Sequence, residues 1–421
     1  MGSMQRYAAT VLGAGAVVLA FGAFAPVAAQ AAAPTTLFVS QGGLDSGTCT
    51  SASPCATVSY ALTQAASGAT IEVSGTIDDH ITISQPVTIT TWPGGPAVSP
   101  GVLDGTTTGE VVTVDSGVTG VTIQDLTVEN GSAGIWNSGT LTLTDSTVTG
   151  NDYYAGVQNP GSGTITIINS TIAGNTGAGG ITNGGTVTVL GSTIAGNSGY
   201  GIESSGTATL GATIVAGNTA YNCSAYYASS LYSAGYNLTN DTTGTACAFT
   251  AATDRVNKNP LLGALASNGG PTQTMLPSTK SPAANVIPKA TKLHGVTVCP
   301  STDQRGVARP GHGETRCTIG AAEAAFNIAT TTAVTVTPAT AASGSRVAYE
   351  AVVTPKSGTG TPTGTITFTI GSTTLCTAVL SGGVAACGAT NAPAGTDTVI
   401  GKYSGGGGFA SSSGTATLTV T

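Results

Sequence analysis

Two aspartates and an asparagine, Asp125, Asp145 and Asn169, occupy equivalent places in three successive copies of a repeated segment. If these copies stack as parallel strands, the three side chains form one column with a spacing of about 5 Å. Two carboxylates at that separation suit the acid and the nucleophile of a glycosidase, and Asn169 would help them hold Ca²⁺. The same residue types also favour turns, where their side chains accept backbone hydrogen bonds. Gly191 and Ala212 continue the column in the next copies, which favours the turn.

A second candidate surface is aromatic. Trp136 is predicted to point outward from a strand if Ile135 points inward, and Tyr153, Tyr154 and Tyr200 stand at nearby turns. An aromatic ring packs against the C–H face of a sugar without needing charge, so this set suits a neutral glycan. The alternative is that the tyrosines only cover the flank or the end of the fold.

Threonines form a third candidate surface. Thr142, Thr166 and Thr188 alternate with apolar residues, which predicts one clear outward threonine per strand. The strand preference of β-branched residues would produce this pattern by itself. A regular column of hydroxyls can also order water, as the flat threonine faces of ice-binding solenoids do.

Other constellations are less complete. Asp78 and His80 can point to one face of a strand while Asp79 points to the other, so the triplet is expected to be a polar turn. No GxSxG motif and no CxxC motif occurs, and the histidines lie far from the cysteines in sequence. We therefore expect no zinc site and no cofactor, with calcium at the aspartate column as an open alternative.

Charge excludes several kinds of partner. Only 7% of the residues are charged, with 12 Lys+Arg against 19 Asp+Glu, and no Lys or Arg lies between Arg6 and Arg255. Nucleic-acid binding depends on Lys and Arg that neutralise phosphates, so no nucleic-acid partner is expected. A site in this stretch that clamps a phosphate or a sugar acid with arginine is excluded for the same reason.

The elements that must position these residues are visible as a repeat with a period near 22. Its copies are VTIQDLTVEN (121–130), LTLTDSTVTGN (141–151), ITIINSTIAGN (165–175), VTVLGSTIAGN (187–197) and ATLGATIVAGN (208–218). Apolar and polar residues alternate, which predicts strands with one buried face. One short unit cannot bury its apolar residues alone, and the connections are too short for helices. The pattern therefore predicts an all-β fold, a right-handed parallel β-helix, with the closing asparagines as a structural ladder.

The N-terminal segment of the chain predicts export. Residues 1–33 contain a weakly basic start, an apolar core and the small-residue site Ala29-Gln30-Ala31, and so are predicted to be a signal peptide rather than a retained anchor. No other run of membrane length follows, so no membrane span is expected in the mature chain.

The cysteines agree with export, because disulfides persist in oxidising compartments. Local disulfides are the simplest connectivity, and each is expected to close a loop that lacks regular strand pairing. The eight cysteines fall in four close pairs: Cys49/Cys55, Cys223/Cys247, Cys299/Cys317 and Cys376/Cys387.

Three segments carry a resemblance to a known group. LFVSQGGLDSGTCTSASPCATVSYAL (37–62), NPLLGALASNGGPTQTMLPSTKSPA (259–283) and DQRGVARP (303–310), together with the STIAGN rungs, resemble secreted bacterial right-handed β-helix proteins with polymorphic outer-membrane-protein-like repeats of the choice-of-anchor type. The resemblance covers about 35–325 and implies fold and export, without a catalytic motif. It is compatible with a β-helix over 34–325, with an N-terminal cap around the helical pattern 56–67 and a disulfide-bearing C-terminal cap.

The composition changes near residue 328. Alternating segments separated by Gly, Pro and Ser turns at intervals near ten predict about seven strands of a β-sandwich over 328–421. Cys376 and Cys387 flank a turn and are expected to staple a hairpin. TVTPAT, PTGTITF and YSGGGGFASSSGTATLTVT resemble bacterial immunoglobulin-like repeat domains, which act as spacers or adhesion modules.

Together these features predict a secreted, non-enzymatic cell-surface or extracellular scaffold that contacts neutral polysaccharide or cell-wall surfaces. The first alternative is a polysaccharide-cleaving enzyme, a glycoside hydrolase or a lyase-like β-helix, that uses Asp125 and Asp145. The second is an ice-binding, threonine-rich solenoid. The sequence leaves the ligand and the oligomeric state open.

Overall fold

The structure is a computed structural model that describes residues 35–96, 100–106, 108–226, 230–242, 246–311, 314–324, 328–356, 361–406 and 409–421. The predicted signal peptide, residues 1–33, lies outside the described residues.

Three parallel sheets form the body of the chain, and each coil contributes one strand to each sheet in turn. Sheet 1 has nine strands: Thr36–Ser40, Ala69–Ser74, Val87–Thr91, Val121–Gln124, Thr140–Thr144, Thr164–Ile168, Thr186–Leu190, Thr207–Gly211 and Leu231–Gly235. Sheet 2 has eight: Thr76–Asp78, Val102–Asp104, Thr127–Glu129, Thr147–Thr149, Thr171–Ala173, Thr193–Ala195, Ile214–Ala216 and Leu238–Thr239. Sheet 3 has seven: Ile81–Ile83, Glu110–Val114, Ala133–Asn137, Ala155–Asn159, Gly179–Asn183, Tyr200–Ser204 and Tyr221–Ala225. The predicted parallel β-helix is therefore confirmed.

The alternation of apolar and polar residues places one side of each strand in the interior. In sheet 1, Leu141 and Leu143 of one coil are buried beneath Ile165 and Ile167 of the next, with which they are in register. Sheets 2 and 3 add inward residues such as Val148. Stacked coils thus share one continuous apolar core, which no single coil could form.

Two ladders of buried asparagines tie successive coils together. In the predicted ladder, Asn151 donates to Asn175 at 2.8 Å, Asn175 to Asn197 at 2.9 Å, and Asn197 to Asn218 at 2.9 Å. Each side-chain amide supplies both a donor and an acceptor, so the chain of bonds continues from coil to coil. A second ladder at the turn from sheet 3 to sheet 1 includes Asn159 and was not predicted.

The N-terminal end is closed by the predicted helix, which spans Val58–Gln64. Thr57 caps it by accepting a hydrogen bond from the Tyr60 amide at 3.1 Å. Val58 and Ala61 face the core and are buried. The helix therefore covers the apolar side chains that the first coil would otherwise expose.

At the other end, Cys247 and Phe249 are buried against Cys223 and Leu231 of the last coils. The described part of residues 259–324, which belongs to the predicted C-terminal cap, then folds back along the outer face of sheet 2. It contains two short antiparallel pairs, Ile287–Pro288 with Arg316–Cys317 and Lys292–Leu293 with Val296–Thr297. We call residues 259–324 the flank segment.

Gln304 fastens the flank segment to two coils. Its amide nitrogen donates to the Ser146 carbonyl at 3.1 Å and to the Thr147 hydroxyl at 2.9 Å, and its amide oxygen accepts from the Thr171 hydroxyl at 2.6 Å. The Ala321 amide donates to the Thr193 hydroxyl at 3.1 Å. Threonines of sheet 2 are consequently buried although they point away from the core of the β-helix.

Four charged side chains form two ion pairs inside the flank segment. Arg305 pairs with Asp303 at 2.6 Å, and Arg309 pairs with Glu323 at 3.2 Å. All four are almost fully buried. A buried ion pair needs additional hydrogen bonds, and the Glu323 amide supplies one to Asp303 at 2.8 Å.

The C-terminal module is a β-sandwich. A three-stranded sheet contains Thr330–Thr337, Val347–Pro355 and Val384–Ala389. A five-stranded sheet contains Thr340–Ala341, Ser412–Val420, Gly395–Tyr403, Thr365–Ile370 and Thr373–Val379. Tyr349, Phe368 and Tyr403 are fully buried between the sheets.

All four predicted disulfides are formed, and each joins the cysteines that are neighbours in sequence. The expected role of the last one was wrong. Cys376 and Cys387 lie on strands of different sheets, so their bond links the two layers of the sandwich instead of stapling a hairpin.

The expectation that the disulfide loops lack regular pairing was also wrong, most clearly at Cys55. Cys55 forms a parallel bridge with Val39 of the first strand of sheet 1. Its amide donates to the Phe38 carbonyl at 2.9 Å, and its carbonyl accepts from the Ser40 amide at 3.0 Å. This strand has a free edge at the N-terminal end of the sheet, and an unpaired edge leaves backbone polar groups without partners. Cys55 therefore extends the sheet by one bridge as well as closing its loop.

The bond between Cys55 and Cys49 anchors this bridge in the interior. The two Cα atoms are 4.9 Å apart, and both residues are fully buried in the core of the β-helix. Because the Cys55 sulfur is bonded to Cys49, it has no thiol proton, and the Ser46 carbonyl oxygen 3.8 Å away is a packing contact. The first disulfide thus belongs to the N-terminal cap together with the helix.

No helix among the described residues has the length and apolar character needed to cross a bilayer.

Candidate functional site

The outer face of sheet 3 carries one outward side chain from each coil at matching positions. Trp136 is in register with Thr113 of the preceding coil and with Gln158 of the following one. Thr182 and Glu203 continue the same column. As predicted, Ile135 is buried while its neighbour Trp136 is partly exposed. We call this column and the aromatic residues beside it the sheet 3 strip.

Two tyrosines from the next coil pack beside the tryptophan. The rings of Trp136 and Tyr154 meet edge to face with centroids 5.5 Å apart, and those of Tyr153 and Tyr154 meet in the same way at 4.8 Å. Edge-to-face packing at such distances is a favourable aromatic geometry. Tyr153 remains 70% exposed and Tyr154 38% exposed, so the cluster presents its rings to solvent rather than burying them.

A second aromatic pair lies further along the strip. Tyr200 and Tyr221 are in register and stack with ring centroids 6.0 Å apart. Gly179 occupies the equivalent position one coil earlier, between this pair and the first cluster. Beside the pair, a hydrogen bond to the Glu203 carboxylate raises the pKa of Tyr226. The strip therefore has two aromatic groups with a small residue between them.

A pocket opens at the N-terminal end of the strip. It has a volume of about 330 Å³ and is lined by His80, Thr82, Glu110 and Thr113, among others. The His80 Nδ1 atom lies 2.8 Å from the Glu110 carbonyl oxygen, which fixes the imidazole ring. Thr113 is the residue in register with Trp136, so the pocket and the aromatic cluster are adjacent. The volume falls at the lower limit of small-molecule sites.

The strip is suited to an extended, uncharged ligand. From Trp136 to Ser224 it crosses four rung spacings, or roughly 19 Å at about 4.8 Å each. Its groups are aromatic rings, an amide, one carboxylate and two hydroxyls, of which the Thr182 oxygen is buried, with no lysine or arginine in this part of the sequence. Rings bind apolar sugar faces and the polar groups bind hydroxyls, so the chemistry matches a neutral polysaccharide.

The aspartate column lies at turns between sheets 1 and 2. Asp125, Asp145, Asn169, Gly191 and Ala212 all have positive φ, between 50° and 57°. Asn and Asp adopt this left-handed conformation more readily than other non-glycine residues. The column therefore shares one turn geometry, and this is the interpretation that Gly191 and Ala212 favoured in the sequence.

The surroundings of these carboxylates differ from those of an open active site. Burial raises the pKa of Asp125, and the neighbouring carboxylate of Asp145 adds to the effect. Asp145 also has a raised pKa because of burial, although bonds from Asn169 and Thr144 oppose it. The flank segment crosses this region, since the Thr272 hydroxyl donates to the Asp145 carbonyl at 3.1 Å.

The flank segment also brings a basic residue to the column, which the sequence did not anticipate. Arg309 and Asn169 line one cavity of only about 10 Å³. Such a space holds about one water molecule and no sugar ring. Arg309 is therefore not placed to bind an acidic sugar.

A different set of acids was missed by the sequence analysis. Asp78, Asp104 and Glu129 are in register in the first three strands of sheet 2. Burial raises the pKa of Glu129, and the Asp104 carboxylate contributes. Asp79, by contrast, accepts bonds from the Ser59 amide and hydroxyl and so holds the capping helix. Across the described residues, no group of three or more His, Cys, Asp or Glu side chains could hold a metal ion.

The outer face of sheet 1 has more threonines than predicted. Thr142, Thr166 and Thr188 are in register as expected. Each of their strands also begins with a threonine two residues earlier, so the expectation of one outward threonine per strand was wrong. The first residue of each strand belongs to the sheet and not to the preceding turn, so each strand presents Thr-x-Thr.

Comparison with known proteins identifies two regions. Residues 111–261 match the family described as "Right handed beta helix region", and residues 334–421 match "Bacterial Ig-like domain (group 3)". Among solved structures, the crystal structure of pectate lyase Pel9A is similar with 13% identity and a TM-score of 0.38, over 69% of this chain and 96% of that one. A likeness of this size supports no statement about activity. A comparison with curated proteins gave no match.

Proposed function

We propose that this chain, a right-handed parallel β-helix joined to a bacterial immunoglobulin-like domain, is an extracellular, non-enzymatic scaffold that binds neutral polysaccharide. The observation that carries the proposal is the sheet 3 strip, in which Trp136, Tyr153 and Tyr154 present packed rings at the surface. Tyr200 supports it from further along the same face. Binding of this kind needs no cofactor. Four disulfides support an extracellular location, where such bonds persist.

Charge and exposure favour binding over catalysis. Asp125 and Asp145, the acids of the enzymatic alternative, are partly buried turn residues beside the flank segment. A glycosidase needs its two carboxyl groups on either side of an accessible glycosidic bond. The rings of the strip are open to solvent, so a polysaccharide can reach them without any movement of the fold.

The test is a pull-down of the full chain with insoluble neutral glycans such as cellulose, chitin and β-1,3-glucan, next to acidic pectin. We expect the chain to be retained on at least one neutral glycan, and we expect no retention on pectin that depends on its acidic groups. In Trp136→Ala, loss of one ring face should reduce the free energy of binding by about 1.5 kcal/mol, which raises Kd roughly tenfold. Tyr153→Ala should act in the same direction, and its exposure means that the fold does not depend on it.

Tyr232→Ala is the matched control, because Tyr232 is 47% exposed on sheet 1, away from the strip. Its retention should equal that of the unmodified chain. Two results would contradict the proposal: no retention on any neutral glycan, or equal retention of Trp136→Ala and the unmodified chain. Release of new reducing ends from a retained glycan would show an enzyme instead of a binding scaffold.

A further inference from the structure

A two-dimensional array of threonines covers the outer face of sheet 1. One column runs in register through eight successive strands: Thr36, Thr70, Thr88, Thr122, Thr142, Thr166, Thr188 and Thr209. A second column runs in register beside it: Thr140, Thr164, Thr186 and Thr207. Four consecutive strands therefore present Thr-x-Thr, and neither column contains a charged residue. We call these four strands the threonine face.

The threonines of this face are exposed or partly exposed, whereas Leu190 at the end of one of its strands is buried under the flank segment. All four threonines of the second column are exposed, and those of the first column on the same strands are partly exposed. None of these eight hydroxyls has a hydrogen-bond partner among the described residues. Each hydroxyl can therefore donate one hydrogen bond and accept others from outside the protein.

The face is also held in a regular plane. The strands pair without a shift of register from Thr140 to Leu210, and the first shift comes at the pairing with the last strand. Buried asparagines fix the second column from behind. Asn137 donates to the Thr164 carbonyl at 3.1 Å, and Asn159 donates to the Thr186 carbonyl at 3.2 Å.

The spacings of the array fit tetrahedrally bonded water. Hydroxyls on neighbouring coils are about 4.8 Å apart, and threonines two residues apart on one strand are separated by about 6.6 Å. One water with two bonds of about 2.8 Å at a tetrahedral angle spans about 4.6 Å, and a chain of three such bonds reaches about 7 Å. A single lattice of water molecules can therefore bond to many hydroxyls of the face at once, while the methyl groups fill the space between them.

We propose that the threonine face binds ice. The ligand must repeat in two dimensions, because the face itself does, and it must be uncharged. A single sugar chain would use one column at most, and the four strands of the threonine face carry no aromatic ring on which a sugar could stack; the nearest ring in the column, Tyr232, lies on the next strand. The crystal surface of ice meets both requirements, and the many weak bonds act together because the face is rigid.

The experiment measures thermal hysteresis, ice shaping and partition of the full chain into slowly growing ice. We expect the unmodified chain to shape ice crystals and to enrich in the ice fraction. Thr166→Tyr places a ring in the middle of the face and should abolish both effects. Thr166→Val keeps the shape and the strand preference while removing one hydroxyl, so it should reduce them only partly.

Thr176→Tyr is the matched control, since Thr176 is an exposed turn residue of the same coil on a different side of the β-helix. It should shape ice as well as the unmodified chain, and circular dichroism would confirm that all variants are folded. The proposal is overturned if the unmodified chain neither shapes nor enters ice, or if Thr166→Tyr still does. It is equally overturned if the face binds crystalline cellulose or chitin in a Thr166-dependent way but does not bind ice.

Discussion

The buried asparagine ladder offers a stability prediction whose size can be worked out from the structure. The Asn175 amide nitrogen donates to Asn197 at 2.9 Å and to the Val148 carbonyl at 3.1 Å. Its oxygen accepts from the Asn151 side chain at 2.8 Å and from the Asn151 amide at 3.2 Å. Asn175→Ala therefore removes these four hydrogen bonds, and a long fifth one to the Ala173 carbonyl at 3.5 Å, at a site with no exposure to solvent.

The cost is dominated by the groups that lose a partner. The Asn151 amide loses its acceptor inside the protein, and an orphaned buried donor costs about 1–3 kcal/mol. Each of the other lost bonds contributes about 1 kcal/mol, since some of their partners keep a second bond. We therefore expect Asn175→Ala to lower the free energy of unfolding of the β-helix by about 4–6 kcal/mol.

The assay should follow the β-helix separately from the sandwich, because a chain with two modules need not unfold in one step. Both tryptophans, Trp92 and Trp136, are in the β-helix, so tryptophan fluorescence during urea unfolding reports on it alone. Thr176→Ala, at an exposed neighbouring position, should change stability by less than about 0.5 kcal/mol. A loss below about 1 kcal/mol for Asn175→Ala would refute the reasoning, because the ladder would then not hold the coils together.

Two further predictions concern the aspartate column and the flank segment. The pKa of Asp125 is raised in the folded state, so the folded chain holds the proton of this carboxyl more tightly than the unfolded chain does. The stability that this proton contributes is lost as pH rises from the unfolded pKa of about 4 through the raised pKa. Asp125→Asn should therefore be more stable than the unmodified chain at pH 7 and lose this advantage near pH 3. Urea unfolding midpoints of both chains, measured across this pH range, would show the change. A difference in midpoint that stays constant with pH would contradict the prediction. Gln304→Ala removes the hydrogen bonds to Thr147 and Thr171 and should accelerate tryptic cleavage within residues 259–324. Mass spectrometry of the fragments would show this, because the coils contain no tryptic site before Arg255 and so do not contribute cuts of their own. Unchanged cleavage would mean that other contacts hold the segment.

The regular part of the fold could be predicted because each coil repeats the same sequence pattern of alternating residues and a closing asparagine. Alternation at period 2 shows which side chains are inward, and the closing asparagines mark each turn. The second threonine column was missed for a local reason. Thr164 and Thr186 follow Gly-rich turns, where sequence alone does not show at which residue the strand begins. The bridge at Cys55 was missed similarly, because a single paired residue inside a loop has no alternating pattern around it.

The flank segment could not be predicted because its contacts connect residues that are far apart in the chain. Gln304 bonds to Thr147, 157 residues earlier, and nothing near either residue signals the contact. The register of Asp78, Asp104 and Glu129 was missed for a related reason. The early coils are longer than the later ones, with spacings of 26 and 25 residues between these acids, so the period near 22 does not align them and only the strand pairing does.

The position of the flank segment also decides which faces of the β-helix can have a function. A coil has three outer faces, and from Thr147 to Ala216 the strand residues of sheet 2 are buried by residues 259–324. An enzyme built on Asp125 and Asp145 would need the face that is closed. Sheets 1 and 3 remain open, and their outward residues differ in kind: a flat neutral array on one, and packed rings with hydrogen-bonding groups on the other. The threonine columns carry no charged side chain and so can meet an uncharged surface without desolvating an ion, whereas the sheet 3 strip carries the Glu203 carboxylate, which can also accept hydrogen bonds from a ligand.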